Sequence, residues 1–287
     1  MTASLLDAVH ARLRDRAAAV TDPRVTVGGR VLLVEVTGLD GGRLAGLAHR
    51  PRGGEESVAT DPDSVSGLAA GATEAPGRLD RAVGVATLNA LSVPDVDWQR
   101  GDPMAALSTD VEVVATVGLF RPAFRKFDDV RVRVVERDPP ESVDAPAGVA
   151  VETFRPGECE AAFDGADVCF VTGSTLVYGG TDRYLSALDA AGVAPVVMVG
   201  ATASHVPGPA FAAGVDVVAG ALVTDVDRVR ERVRAGDCGT DLHDAGLAKV
   251  YVTRPGAADG TLSGLELRAD TDGRAEPTSP PNTDTRQ

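Results

Sequence analysis

Lysine is almost absent from the 287-residue sequence: Lys126 and Lys249 are the only two, and the other basic residues are arginine. Acidic residues number 42 against 28 basic ones, which gives a formal net charge of −14. This balance excludes a nucleic-acid or anionic-membrane partner, because a surface rich in phosphate requires a basic face. An excess of acid with scarce lysine predicts a halophilic organism with a salty cytoplasm, where salt screens the repulsion between surface charges. An ordinary acidic protein from an arginine-rich genome is the alternative.

Cysteine is scarce and its spacing forms no pair. Cys159, Cys169 and Cys238 are far apart and contain no CxxC motif, which predicts a reducing compartment and no disulfide framework. No run of 18 apolar residues occurs, so we expect no membrane span. Charges from Asp7 onward interrupt the N-terminal stretch, which argues against a signal peptide. We therefore expect a cytoplasmic protein.

Histidine-based metal motifs and common catalytic motifs are also missing. The four histidines, His10, His49, His205 and His243, show no HxH or HExxH spacing, and no GxSxG elbow, Walker loop or kinase motif occurs. His49 ends a predicted strand early in the chain, and His205 lies in a predicted loop much later. They can share a metal only if two domains close on each other. A hydrogen-bonded structural role is the alternative for each of them.

The first 93 residues predict a small α+β domain. Apolar residues recur on one face of a helix over 4–20, and Ser4 is suited to cap it. Two strands follow, joined by a turn around residues 40–42. A loop with one short helix near 65–70 and a buried helix over 79–92 complete the domain.

From residue 111 the pattern changes to strands that alternate with helices, which predicts an α/β domain with a mostly parallel sheet. Residues 94–110 are expected to be a linker, 111–255 the Rossmann-like α/β domain, and 256–287 a disordered polar tail. The strands are predicted at 111–117, 131–136, 167–172, 194–199, 215–219 and 250–253. The helices are predicted at 122–128, 181–191, 207–213 and 225–235.

The stretch 111–139 has the outline of a dinucleotide site: a strand, a tight turn, a helix and a second strand. Gly118 permits the turn, and Glu136 lies where a ribose-binding acid would follow the second strand. The other fingerprint positions are bulky, with Phe120 and Ala123 where a pyrophosphate requires close approach of the backbone. The sequence thus favours a Rossmann-like scaffold that does not bind a conventional dinucleotide.

Small and hydroxyl-bearing residues follow several of the predicted strands. The strand at 167–172 leads into Thr172, Gly173 and Thr175, and the next strand leads into Gly200 and Thr202. Ligands of doubly wound sheets bind at these carboxyl ends of strands. Thr181, which opens the next helix, is explained equally well as a helix cap. The residues together predict the floor of an open crevice.

Six segments in order carry a family resemblance: "GLAHR", "GVATLNALS", "VGLF…VRVVERDP", "DVCFVTGSTLVYGGT", "VVMVGATAS" and "GVDVVAGALVTDVDRV". Over residues 5–253 the chain resembles a family of unknown function described as a "putative heavy-metal chelation" family. The resemblance implies a domain like the N-terminal domain of enolase, followed by a Rossmann-like domain, with a site between them. Carried over by motif, the ligand-binding residues would be Asn89, Gly118, Phe120, Glu136, Thr172, Gly173, Thr175, Thr181, Gly200 and Thr202. The chain departs from the family at Tyr178, where an Asn is usual, and in the loop that brings in His205.

Two main functions are compatible with this sequence. The first is binding of a heavy metal, or of a small molecule that carries one, in an interdomain crevice, with His49, His205 and Glu136 as the ionisable groups to test. The divalent metal would be the cofactor in that case. The second is an enzyme that acts on a nucleotide-like or adenosyl-type ligand, with Glu136 on the ribose hydroxyls. An interaction protein with a vestigial pocket is a third hypothesis. A symmetric homodimer is a common state for such proteins.

Overall fold

The computed structural model describes residues 3–53, 63–75, 77–256, 262 and 264–267. Within these residues the strands form two sheets, one of three strands and one of eight. We call them the small sheet and the large sheet. None of the helices in this part of the chain has the length and apolar content that crossing a lipid bilayer requires.

The small sheet is antiparallel and is preceded and followed by helices. Helix α1 (Leu5–Ala19) begins at Ser4, whose hydroxyl accepts a hydrogen bond from the backbone N–H of Asp7. Its apolar stripe is buried, as the sequence predicts. The remaining elements are β1 (Thr21–Val27), β2 (Val31–Thr37), β3 (Arg43–His49), α2 (Val65–Glu74) and α3 (Arg78–Ser92), and the strand order is β1-β2-β3.

One strand of the small sheet was not predicted. The apolar pattern over residues 24–36 predicts a single strand, the first of the two in this region, but the chain reverses between β1 and β2, and the N–H of Gly28 donates to the carbonyl of Val31. The prediction was wrong because the hairpin loop is only Gly29 and Arg30, too short to interrupt the apolar pattern. The rest of the predicted elements, the helix over 79–92 above all, are present within one or a few residues.

Helix α3 lies against the small sheet at unusually short range. Twelve of its fifteen residues are buried. At Gly46 of β3, a Cβ atom would lie 2.3 Å from the carbonyl oxygen of Ala86 and from the backbone nitrogen of Ala90. Because any side chain at position 46 would push the helix away, the glycine permits this contact. The contact fixes the carboxyl end of β3, and with it His49, relative to α3.

The large sheet confirms the predicted α/β fold with a mostly parallel sheet. Its order is β4-β11-β10-β9-β8-β5-β6-β7, in which β5 to β10 are parallel and β11 is antiparallel to both of its neighbours, β10 and the short edge strand β4. The strands are β4 (Gln99–Arg100), β5 (Val113–Val117), β6 (Val130–Val135), β7 (Val149–Phe154), β8 (Val168–Thr172), β9 (Val196–Val199), β10 (Val217–Val223) and β11 (Leu247–Thr253). The helices are α4 (Arg121–Phe124), α5 (Cys159–Phe163), α6 (Ser174–Tyr178), α7 (Thr181–Ala191), α8 (Gly208–Ala212), α9 (Val226–Ala235) and α10 (Thr240–Asp244).

Two strands of the large sheet were missed by the sequence analysis. Edge strand β7 is half exposed, so its residues lack the apolar run that marks the inner strands. Strand β4 lies in the stretch 94–110 that was expected to be a linker, and it pairs with β11 through only two residue pairs. The helix predicted over 122–128 is a single turn, α4.

One apolar core joins the two sheets. Buried residues of α1, α3 and β2 form a continuous cluster with buried residues of β5, β8 and α7. A second cluster lies on the opposite face of the large sheet, around Phe124, Phe127 and Phe170. The helices that flank the small sheet thus cover one face of the large sheet. The division into domains at 1–93 and 111–255 stays a prediction, as does the likeness of the first part to an enolase N-terminal domain.

Most of the tail predicted from residue 256 to 287 lies outside the described residues. Of the residues that are described there, Leu265 is buried and forms an antiparallel bridge with Leu107. Leu262 and Leu267 pack against the same core cluster as Leu265. These leucines are the large apolar residues of the stretch, and they attach it to the apolar cluster around Phe124, Phe127 and Phe170.

Candidate functional site

The order of the large sheet places its topological switch point at the carboxyl ends of β5 and β8, where the sequence predicts a ligand crevice. Strands β6 and β7 follow β5 on one side, and β8 starts the second half of the sheet on the other side. The connections therefore diverge at this point, and ligands of open α/β sheets bind where this happens. The predicted residues Gly118, Thr172 and Gly173 lie at these two strand ends.

Gly118 and Thr172 are in direct contact across the switch point. Gly118 has a φ of +92°, and a Cβ atom there would lie 2.3 Å from Thr172 Oγ1. That hydroxyl donates to the carbonyl of Val117 at 2.8 Å and lies 2.9 Å from the hydroxyl of Ser174. The glycine is needed both for its backbone conformation and for the approach of the threonine. The next residues of this loop lead to Phe120, whose ring is 41% exposed.

Glu136 follows β6 and fixes the loop after Gly118. Its Oε2 accepts a hydrogen bond from the backbone N–H of Leu119 at 2.9 Å, and its Oε1 accepts one from its neighbour Arg137 at 2.8 Å. The carboxylate is half-buried. Because a carboxylate oxygen can accept more than one hydrogen bond, Glu136 can hold this loop and still accept from a ligand hydroxyl.

The threonines predicted around α6 hold its turn together. Thr175 Oγ1 donates to the carbonyl of Thr172 at 2.9 Å, and Thr181 Oγ1 donates to Thr175 Oγ1 at 3.0 Å. Both threonines are buried. A Cβ atom on Gly173 would lie 2.7 Å from the backbone nitrogen of Ala203, so this glycine permits the turn after β8 to approach the turn after β9. These side chains shape the crevice floor from within.

Asn89 connects three backbone segments below the crevice. Its Nδ2 donates to the carbonyl groups of Leu47, Ala201 and Thr202, at 2.9, 3.2 and 3.0 Å. The side chain is fully buried. Its amide thus ties the end of β3 to the turn after β9. The contribution to ligand binding that the sequence predicts for Asn89 would be to hold these backbone segments in position.

Thr202 and His49 make the second link between the sheets. The backbone N–H of His49 donates to Thr202 Oγ1 at 2.9 Å. The imidazole Nε2 of His49 lies 3.3 Å from the hydroxyl of Tyr178. Burial, aided by the charges of Arg52 and Arg137, lowers the pKa of His49 below its usual value. His49 is therefore a neutral imidazole at pH 7. Nearby, Gly200 has a φ of +105° and is exposed, with open space where a Cβ atom would lie.

His205, the other predicted metal ligand, lies inside the core. Its Nδ1 is 2.9 Å from the carbonyl of Val206, and its Nε2 has no hydrogen-bond partner among the described residues. Burial lowers the pKa of His205, so it too is neutral at pH 7. Across the described ranges, no group of three or more His, Cys, Asp and Glu side chains is placed to hold a metal ion. The described residues therefore do not supply a complete set of metal ligands by themselves.

The residues that the sequence analysis missed surround Tyr178. The guanidinium carbon of Arg137 lies 3.6 Å from the centre of the Tyr178 ring, and that of Arg78 lies 5.6 Å from it. The backbone N–H of Arg52 donates to the Tyr178 hydroxyl at 3.1 Å. Tyr178 was noted only as a departure from a family pattern. The arginines give no local signal, because they come from three distant segments of an arginine-rich chain.

Comparison with protein families finds one match. The model of the DUF364 family, described as "Putative heavy-metal chelation", matches residues 106–252, which is just over half of the chain. The match covers both strand ends of the switch point and the turn after β9. No curated protein matches the chain.

Two solved structures share the fold over most of the chain. A protein of unknown function from Pyrococcus horikoshii, a DUF364 member, has a TM-score of 0.72 at 18% identity and covers 88% of this chain and 100% of its own. Another DUF364 protein of unknown function, from Desulfitobacterium hafniense, has a TM-score of 0.66 at 15% identity, and the match covers 86% of this chain and 98% of that protein. At these identities the likeness concerns the fold alone.

Proposed function

Since this chain belongs to the DUF364 family, whose description is "Putative heavy-metal chelation", we propose that it binds a heavy metal, or a small molecule that carries one, in the crevice at the carboxyl ends of β5 and β8. The crevice would be bounded by the loop after Gly118, by α6 and by the end of β3. The proposed ligand-contacting groups are the backbone around Gly118 and Gly200, the hydroxyls of Thr172 and Thr202, and His49.

The hydrogen bond from His49 to Thr202 is the observation that supports this proposal best. Together with the clamp made by Asn89, it brings the end of the small sheet to the strand ends of the large sheet. This contact supports a role for the His49 imidazole, because ligands of doubly wound sheets bind at such strand ends. Because the pKa of His49 is lowered, its ring keeps a free lone pair at neutral pH, which metal coordination requires.

His49 can supply one ligand to a metal, and the crevice hydroxyls and backbone groups can orient what surrounds it. Soft or borderline metals accept imidazole nitrogen readily. The remaining ligands have to come from the small molecule, since the described residues bring no second and third ligand to His49. His205 is buried, and its Nε2 has no hydrogen-bond partner among the described residues. We do not assign His205 to the metal ion that His49 would bind.

A thermal-shift screen tests this function. The protein, treated with a chelator and held in molar KCl, is heated with each of several divalent metals, alone and with a small chelating acid. A ligand at 100 times its Kd adds about 2.7 kcal/mol to the free energy of unfolding, which raises Tm by several degrees. We expect His49→Gln to remove the shift and His10→Gln, on α1, to retain it. Stabilisation by no metal in either form would contradict the proposal.

A nucleotide-like or adenosyl-type ligand is the second candidate, and the position of Glu136 favours it. Glu136 follows β6, next to β5, as a ribose-binding acid does in doubly wound sheets. Adenosine-containing compounds in the same screen test it. Stabilisation by these compounds that Glu136→Gln abolishes, with no effect of metals, would replace the first proposal with this one.

A further inference from the structure

Four arginines come together at the crevice although the chain as a whole is strongly acidic. We call Arg52, Arg78, Arg81 and Arg137 the arginine cluster. Arg137 and Arg78 lie over the ring of Tyr178, and Arg52 donates its backbone N–H to the hydroxyl of that residue. Arg81 Nη1 lies 3.8 Å from the place of a Cβ atom on Gly179, the residue after Tyr178. In a protein with a net charge of −14, this is a local reversal of sign.

Within the described part of the chain, no carboxylate forms an ion pair with the arginine cluster. Among the described residues, every ion pair involves other basic side chains, and no acid lies within ion-pair distance of the four guanidinium groups. Glu136, next in sequence to Arg137, uses its carboxylate on backbone N–H groups. By contrast, Arg230 near the small sheet has two acidic partners, Glu35 and Asp227.

The geometry of the cluster is suited to anions. A guanidinium group that lies against an aromatic face keeps its N–H edge free for two parallel hydrogen bonds to a carboxylate or phosphate. Tyr178 thus orients Arg137 without consuming its donors. The glycine turn at 179 and 180, directly after Tyr178, leaves room beside the cluster, since only Arg81 Nη1 lies within 4 Å of the place of a Cβ atom on Gly179. A bare divalent cation would be repelled by the same charges, because like charges a few ångströms apart interact unfavourably.

We propose that the crevice binds a small molecule with at least two anionic groups, carboxylates or phosphates, and that a metal reaches His49 inside such an anionic complex. The part that concerns the metal rests on the function proposed above. The arginine cluster binds the anionic groups, and His49 contributes one nitrogen to the metal that they enclose. The small molecule then supplies the ligands that the described residues do not.

Isothermal titration of the full chain with defined probes tests this inference. Citrate represents carboxylates and pyrophosphate represents phosphates. Zn²⁺ is titrated alone and as its citrate complex. Each titration is made at two KCl concentrations, about 0.2 M and about 2 M, because screening weakens exposed ionic contacts. The variants are Arg137→Gln, which loses the charge, and Arg137→Lys, which keeps the charge but loses the planar group.

We expect citrate, pyrophosphate or both to bind, and the zinc–citrate complex to bind more tightly than Zn²⁺ alone. Arg137→Gln should weaken the binding of the anion about tenfold, and Arg137→Lys should restore only part of it. Arg12→Gln, on the exposed side of α1, is the matched control with the same change of charge and should bind as the parent does. Circular dichroism confirms that each variant is folded.

The outcomes separate this inference from the function proposed above. Binding of Zn²⁺ alone, with no effect of anions or of Arg137→Gln, would overturn the inference and leave metal binding in place. Binding of anions that depends on Arg137 but is indifferent to Zn²⁺ would support the anion-binding part of the inference and contradict both its metal part and chelation. Equal losses in Arg137→Gln and Arg12→Gln would also overturn it, because the effect would then come from net charge.

Discussion

The guanidinium group of Arg137 lies 3.6 Å from the centre of the Tyr178 ring, and the hydroxyl of that same tyrosine is 3.3 Å from His49 Nε2. The Tyr178 side chain thus contacts a cation through its ring and an imidazole through its hydroxyl. The arrangement couples the charge at position 137 to the protonation of position 49.

The pKa of His49 should therefore rise when Arg137 is replaced. Burial is the largest cause of its lowered pKa, followed by the charges of Arg52 and Arg137. In Arg137→Gln we expect the pKa to move upward but to stay below the usual value of histidine, since burial persists. NMR titration of the imidazole, assigned by comparison with His49→Gln, measures it. An unchanged pKa in Arg137→Gln and a changed one in Arg12→Gln would contradict the coupling.

Gly118→Ala should destabilise the protein more than Gly200→Ala does. Both glycines have positive φ, so both substitutions carry backbone strain of about 1 kcal/mol. At Gly200 a Cβ atom meets open space, whereas at Gly118 it would lie 2.3 Å from Thr172 Oγ1. We expect Gly118→Ala alone to lose a further part of the free energy of unfolding, about 1–3 kcal/mol, measured by urea denaturation. In Thr172→Ala the extra penalty at position 118 should shrink, and equal penalties in both backgrounds would show that the contact is unimportant.

Asn89→Asp should be much more damaging than its small change in shape suggests. The Nδ2 of Asn89 donates to three carbonyl oxygens, and a carboxylate oxygen in its place would face those three acceptors without a proton. We expect a loss of at least about 3 kcal/mol of unfolding free energy at pH 7. Because a carboxyl group there would bind a proton more tightly when folded than when unfolded, the loss should lessen as pH falls. If Asn89→Asp is as stable as the parent protein at neutral pH, the three hydrogen bonds of Asn89 do not hold these segments together.

The ionisation of Glu35 should make part of the free energy of unfolding depend on pH in the acid range. Burial by itself would raise the pKa of Glu35, but hydrogen bonds from Arg230 and Arg43 outweigh it and lower the pKa. The stabilisation is therefore present above the unfolded pKa, close to 4.5, and is lost as pH falls through the lower folded value. Glu35→Gln should reduce the unfolding free energy by about 2 kcal/mol at pH 7 and flatten the fall in acid. Tm measured from pH 3 to pH 7 for both proteins provides the comparison. Asp15→Asn, at an exposed position of α1, serves as the control for Glu35→Gln.

Thiol reactivity should follow burial. Burial raises the pKa of the Cys169 thiol, which lies in the middle of β8, whereas Cys238 is partly exposed. We expect a thiol reagent to label Cys238 readily in the native protein and Cys169 only after unfolding, since the thiolate is the reactive form. Mass spectrometry of labelled peptides identifies the modified residues. Native labelling of Cys169 at the rate of Cys238 would contradict the position of β8.

The sequence predicted the helices and strands whose apolar residues form a regular pattern. It missed the elements that have no such pattern. Helix α7 lies at its predicted residues because Gly192 ends an amphipathic pattern. Strand β7 was missed because an edge strand with one exposed face has no continuous apolar run. The strand ends at Gly118 and Thr172 were predicted from composition, but their contact with each other was not.

Contacts between distant segments account for what the sequence could not reveal about the site. The Nδ2 of Asn89 donates to three carbonyl groups from two other segments, and none of these partners is near it in sequence. The arginine cluster draws its members from residues 52, 78, 81 and 137, and nothing local to any of them indicates a common position. Such convergence depends on tertiary packing, which a single sequence does not show.

The apolar core shared by the two sheets packs the helices around the small sheet and one face of the large sheet into a single unit, so we expect the walls of the proposed crevice to keep one spacing before a ligand arrives. A protein whose halves hinge apart loses affinity in proportion to the fraction of time it spends open. For this protein we expect no such loss of affinity, and only a small loss of conformational entropy on binding. The crevice should therefore select its ligand by rigid size and charge rather than by adapting to it, and heat should unfold the two sheets in a single cooperative transition.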